Sequence, residues 1–200
     1  MEAVERYGLQ GDLWSNDSDG DGMPDGNEIE ADLKPHVPNA SEDIVAHAPF
    51  VDGRDTEWAW MKPMRIEDTK GDASSDQLDF TRLSYVLRKG SLHVLAETAK
   101  PPVAKGGVIF DILVDINSDG SPELEFAFFL DNPKSPWIYR SATQEVEHSK
   151  ELKASVGHVV EVSVPLSMID VSRFRILPIL HDLESRSNYD EMGSWIEIER

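Results

Sequence analysis

The chain has 200 residues, 40% of them hydrophobic, which is enough for one ordinary core and a small appendage. Its formal charge of −19, from 19 basic and 38 acidic residues, repels phosphate backbones and anionic membrane surfaces and argues against nucleic-acid binding. There is no cysteine, so disulfides, thiolate nucleophiles and cysteine–zinc centres are excluded together, and no apolar run is long enough to insert in a bilayer as a helix.

Residues 1–12, MEAVERYGLQGD, are charged from the start and have no apolar stretch, so they do not read as a signal peptide. Export would therefore make this chain a fragment of a longer precursor. MEAVERYG predicts a short helix that Gly8 stops. The stretch NDSDGDGMPDGNE (16–28) follows, where acids gather among glycines and a proline that suit neither helix nor strand. In NEIEADLKP, Ile29 and Leu33 are four apart on one helical face, and Pro35 ends the run. KPHVPNAS is a linker. NDS and NAS are formal glycosylation sequons at Asn16 and Asn39, the first of them inside the acidic loop, where a glycan would be awkward.

From about residue 42 the hydrophobic period becomes two. LDFTRLSYVLRKGSLHVLAET (78–98) predicts a hairpin turning at Gly90, and GVIFDILVDINSDGSPELEFAFFL (107–130) a second one around NSDGSP. HVVEVSVPL (158–166), RFRILPILHD (173–182) and SWIEIE (194–199) add strands, as do APFVDG and EWAWMKPMRIED nearer the start. Nine or ten short strands without intervening long helices predict a mostly β fold. The expected architecture is an antiparallel β-sandwich, jelly-roll or immunoglobulin-like, over 41–200, with a small loop–helix appendage over 1–40.

Residues 17–28, DSDGDGMPDGNE, place Asp17, Asp19, Asp21, Asp25 and Glu28 at loop positions 1, 3, 5, 9 and 12, with Gly22 at position 6. That is the register of a calcium loop. A hard cation takes six to eight oxygens, alternate residues of a tight loop point inward, and glycine permits the sharp turn. Met23 would add its backbone carbonyl. Two carboxylates about 5 Å apart repel by roughly 3 kcal/mol at an effective dielectric near 20, so such a loop gains from a bound Ca2+. The entering side, GLQGDLWSN, has Gly8 and Gly11 where an EF-hand helix would run. The unit WSNDSDGDGMPDGNEIE resembles the thrombospondin type 3 repeat and the related dockerin half-repeat, and the resemblance covers about residues 5–38. That resemblance implies a calcium-stiffened spacer between domains of an extracellular or cell-surface prokaryotic protein.

The order FVDGRDTEWAW, DFTRLSYVLRKGSLHVLAE, VEVSVPLSMI, GSWIEIE, over about 42–200, resembles the carbohydrate-binding module family 9-like (DOMON-like) sandwich. Its members include sugar binders, haem binders and domains with no known ligand, so the resemblance alone does not assign a ligand. The histidines and methionines form no haem-ligand pattern. A sugar site needs exposed flat rings. Trp58 and Trp60 would share a face if their segment is a strand, against the alternative that they plug the core. Trp137, with Tyr139 on its face, is the better exposed candidate.

DINSDGSPE repeats the D-x-N-x-D-G opening with Asp115, Asn117 and Asp119, but Phe126 at position 12 cannot ligate. The alternatives are a second metal site and a plain Asp-Gly turn. HDLESRSNYDE (181–191) is expected as a long solvated loop in which Asp182 and Asp190 are a further candidate metal pair. No nucleophile elbow or metalloprotease motif is present, so the chain is expected to be non-catalytic. Its expected partners are Ca2+, a polysaccharide and neighbouring domains of a longer chain. The alternative is a spacer or adhesion module without a sugar ligand.

Overall fold

A computed structural model describes residues 17–30, 33–40, 46, 49–103, 106–183 and 185–200. The helix expected over 1–8 lies outside these residues. The described chain is mostly β, as the alternating pattern predicts. Its elements are the helices α1 (Asp25–Glu30) and α2 (Trp58–Met61) and twelve strands. The strands are β1 (Met64–Glu67), β2 (Phe80–Arg88), β3 (Ser91–Thr98), β4 (Val108–Asp115), β5 (Leu124–Phe129) and β6 (Trp137–Arg140). β7 (Glu145–His148), β8 (Lys153–Val156), β9 (Val160–Pro165), β10 (Arg173–Asp182), β11 (Ser185–Glu191) and β12 (Ile196–Glu199) complete the set.

They form two antiparallel sheets. The first has order β1-β2-β3-β9-β8; the second has order β11-β10-β4-β5-β6-β7, with β12 also paired to β10. The β2–β3 hairpin turns on Lys89 and Gly90, both at positive φ (49° and 76°), as a two-residue primed turn requires. The inner faces follow period two. β4 contributes Phe110, Ile112 and Val114, β5 Phe126 and Phe128, β10 Phe174, Ile176 and Leu180, and β2, β3 and β9 answer with Leu83, Val94 and Val162. Phe80 and Phe110 meet edge to face, with centroids 6.0 Å apart. The edge strand β7 carries Glu145 and Glu147 in the open, which discourages pairing with another chain.

Three local expectations change. Of APFVDG, the described residues 49–53 form no strand. EWAW is the short helix α2 rather than a strand, so Trp58 and Trp60 do not share a face. Residues 185–191, read as solvated loop, are strand β11, because the far half of β10 offers it a partner: Leu180 opposes Asp190 and His181 opposes Tyr189.

Candidate functional site

The acidic loop is wound by its own carboxylates. Asp17 accepts the N–H of Gly20 (2.8 Å) and of Gly22 (2.9 Å), Asp19 accepts that of Asp21 (3.2 Å), and Asp21 accepts that of Met23 (2.8 Å). Gly20 and Gly22 sit at φ 78° and 96°, where a side chain would be strained. One oxygen each of Asp17, Asp19 and Asp21 lies within 4.8 Å of the others. Both oxygens of Asp25, at the start of α1, are held by Ser18, from its N–H and its hydroxyl (2.8 Å each). Glu28 is fully buried, and its Oε1 accepts from the Asn39 amide at 2.8 Å.

Two buried oxygens of this loop, Asp19 Oδ2 and Glu28 Oε2, have no hydrogen-bond partner among the described residues. A buried carboxylate oxygen without a partner is costly. Burial, assisted by the charges of Asp19, Asp21 and Asp25, pushes the Glu28 carboxyl up to about 7. Burial also raises Asp19, with Asp21 and Asp17 adding repulsion. The set of oxygens, crowded with like charge, suits a hard divalent cation.

The loop does not stand apart from the sandwich. A Cβ at Gly22 would come within 2.9 Å of Thr56 Cγ2 and 3.3 Å of Trp60 Cη2. The segment carrying those residues lies over the outer face of the five-stranded sheet. Trp58 is buried there, against Leu95 and Val159 rather than between the sheets, and its indole N–H donates to Glu161 at 2.6 Å. Glu161, from β9, also accepts the N–H groups of Asp52 (2.9 Å), Gly53 (2.7 Å) and Arg54 (3.3 Å). Burial, with the nearby charges of Glu57 and Asp52, holds its carboxyl well above the usual range. Nothing in the sequence marks this anchor, 103 residues from Trp58. Trp60 is partly exposed and faces the acidic loop.

The β4–β5 turn repeats the winding of the acidic loop. Asp115 accepts the N–H of Ser118 (2.7 Å) and Gly120 (2.9 Å), Asn117 that of Asp119 (2.8 Å), and Asp119 that of Ser121 (2.8 Å). The third acid of its cluster is Glu123, at position 9, with Asp115 and Asp119. Here the charge is answered from within the protein. Arg175 of β10 donates to Asp115, and although burial pushes that carboxyl up, Arg175, Gly120 and Ser118 together hold it below the usual range.

Asp190 clusters with Asp68 and Asp72; no such cluster among the described residues includes Asp182. Asp190 Oδ2 accepts the Phe80 N–H at 2.6 Å, and burial, with the charges of Asp68, Asp72 and Asp79, raises the carboxyl to about 6.

Trp137 and Tyr139 are on the outer face of the seven-stranded sheet, where Trp137 is 39% exposed. Trp137 packs edge to face between Phe129 (5.1 Å) and His148 (5.2 Å). The same face carries residues that sequence alone does not single out. Asp111 of β4 contacts His181 of β10 (Oδ2 to Nε2, 2.6 Å), with Glu125 and Tyr189 beside them around a depression of about 440 Å³. Asp111 and His181 are 70 residues apart and meet only because β4 and β10 are neighbours. Compared with protein-family models, curated proteins and solved structures, the chain matches none.

Proposed function

We propose that this protein is a calcium-binding, non-catalytic module of an extracellular or cell-surface protein, and that its sandwich binds carbohydrate. The observation that carries the calcium reading is the pair of buried, unpartnered oxygens on Asp19 and Glu28 inside a loop of calcium-binding register. Asp17, Asp19, Asp21 and Glu28 would hold the ion, with the Met23 carbonyl completing the oxygen set and Asp25 at position 9 steadying the loop through Ser18. The cation supplies positive charge that the loop lacks; it performs no reaction. Modules working at extracellular calcium bind with dissociation constants on the order of 10⁻⁴–10⁻³ M.

Calorimetric titration of the parent and of Asp21→Ala tests this. The parent should bind one ion at the loop and gain about 2.7 kcal/mol of stability at a hundredfold excess over its dissociation constant. Undiminished binding by Asp21→Ala would remove the assignment.

One observation favours a second reading, that of a rigid spacer. Gly22 of the loop packs on Thr56 and Trp60, so an ion there would also stiffen the junction with the sandwich. Calcium-dependent stiffening with no glycan retained would select that reading.

A further inference from the structure

The two outer faces of the sandwich differ. The five-stranded sheet is covered by the segment around Trp58, pinned by Glu161 and backed by the acidic loop. On the seven-stranded sheet the outward positions of β4 are Asp111 and Leu113, since Phe110, Ile112 and Val114 point into the core. Strand register extends this into rows. Asp111 opposes Ala127, which opposes Trp137, and Leu113 opposes Glu125, which opposes Tyr139. Across the other edge of β4, Asp111 opposes Ile179, while His181 opposes Tyr189.

The polar centre of this face is unusually buried for groups with capacity to spare. The Asp111 side chain is 8% exposed, one oxygen is engaged by His181, and the other, Oδ1, is enclosed without a hydrogen-bond partner among the described residues, while the residue lines the wall of an open depression. Glu125 stands beside it, on the next strand. Exposed rings flank the pair: Tyr189 at 52% on one side and Trp137 at 39% on the other. Two inter-strand spacings separate the strands of Asp111 and Trp137, about 10 Å. The half-buried Glu125 carboxylate at the depression wants a donor, and a flat exposed ring wants an apolar face. A sugar offers both at once: hydroxyl donors around its rim and a C–H face.

We propose that the outer face of the seven-stranded sheet is a saccharide-binding site, in which Glu125 accepts hydroxyl hydrogen bonds over a depression walled by the Asp111–His181 pair and Trp137 stacks on a sugar ring. His181 positions Asp111 by holding its second oxygen, and Tyr189 closes the far side of the depression. The ligand is neutral or cationic, because the Asp111 and Glu125 carboxylates at the depression, on a chain of net charge −19, repel acidic polysaccharide. Trp58 and Trp60 take no part, since they belong to the opposite face. The site gives a location to the carbohydrate reading above and rests on it, independently of the calcium loop.

The test is affinity electrophoresis in calcium through gels containing xylan, β-glucan or mannan, with pull-down on insoluble cellulose and chitin. The parent should be retarded or captured by at least one of these. Trp137→Ala and Glu125→Gln should each weaken retention tenfold or more, while Trp60→Ala retains it, with melting curves confirming that all variants fold. Should Glu125→Gln fail to fold, Trp137→Ala decides alone, because its ring is partly exposed and its loss spares the core. Retention that survives Trp137→Ala overturns the site and leaves the carbohydrate reading standing. No retention of the parent on any of the five glycans overturns both. Binding of a lysine-rich peptide with no glycan retained would overturn the saccharide in favour of a cationic protein partner.

Discussion

Calcium affinity should fall with pH across the neutral range, because binding at the acidic loop must displace a proton. Glu28 is fully buried, its Oε2 has no partner, and burial with three neighbouring acids pushes its carboxyl from 4.5 up to about 7. A calcium ligand must be ionised. With a carboxyl near 7, about ten-elevenths of Glu28 is charged at pH 8 and about one-eleventh at pH 6, so the association constant should fall about tenfold, or about 1.4 kcal/mol. Asp19, also raised by burial, acts in the same direction. In the absence of calcium the linkage has its own sign. The folded carboxyl lies above its ordinary value of 4.5, so its contribution to stability is full below that pH and is lost as pH rises through about 7. Calcium should therefore stabilise the protein most at pH 8. Titration calorimetry at pH 6, 7 and 8, in buffers of differing ionisation enthalpy, measures both the affinity and the protons released. Glu28→Gln should bind more weakly and lose most of the pH dependence. An association constant that stays within twofold from pH 6 to 8 would refute the argument, since Glu28 could not then be both protonated in the free loop and an ionised ligand of the ion.

Glu161→Ala should destabilise the fold by about 3 kcal/mol. It orphans two buried donors, Gly53 N–H and the Trp58 indole, at about 1–3 kcal/mol each, partly offset by relief from Glu57 and Asp52. In a chain of this length that is a fall of roughly 6–12 °C in Tm by scanning calorimetry; a loss under about 1 kcal/mol would mean the segment is held by other contacts. Gly157→Ala would bring a Cβ within 2.4 Å of the Gly53 carbonyl oxygen and should cost at least about 2 kcal/mol in urea unfolding. The control Gly193→Ala, with nothing within 4 Å, should stay within about 0.5 kcal/mol of the parent, and equal effects of the two would contradict the packing at Gly53.

What could be read from the sequence was local in origin. The β2–β3 and β4–β5 hairpins announce themselves because period-two burial and turn residues are written within twenty or so neighbouring positions. The acidic loop is legible for the same reason: ligand spacing is a property of one short stretch. Segments whose conformation is imposed by distant partners are not legible. SRSNYDE has no alternation to mark it as a strand, and it becomes β11 because β10 extends past β12 and leaves an edge to be paired. EWAW has strand-like residues but forms α2, as Trp58 turns down onto Leu95 and Val159 and Glu161 captures its indole. Asp111, Glu125 and His181 look like ordinary polar positions in their strands, and only the order of strands β10-β4-β5 gathers them.

The two D-x-[DN]-x-D-G loops show why a motif needs its surroundings. Both are wound by the same ladder, the first residue accepting from the fourth and the sixth, the third from the fifth, and the fifth from the seventh. Gly22 and Gly120 occupy the same place at φ 96° and 93°. Backbone geometry therefore does not distinguish them; charge compensation does. At Asp115 the guanidinium of Arg175 is supplied across the sheet from β10 and stacks in turn 5.5 Å from the Trp195 ring, so the cation is part of the fold. At Asp17–Glu28 none of the described hydrogen bonds to the carboxylates comes from Lys or Arg; the donors are backbone N–H groups, Ser18 and Asn39. A loop that closes its own ion pair has less to gain from calcium than one whose buried Glu28 keeps an unpartnered oxygen. The acidic loop is accordingly the one for which we propose the ion, and the hairpin turn is its internally neutralised counterpart.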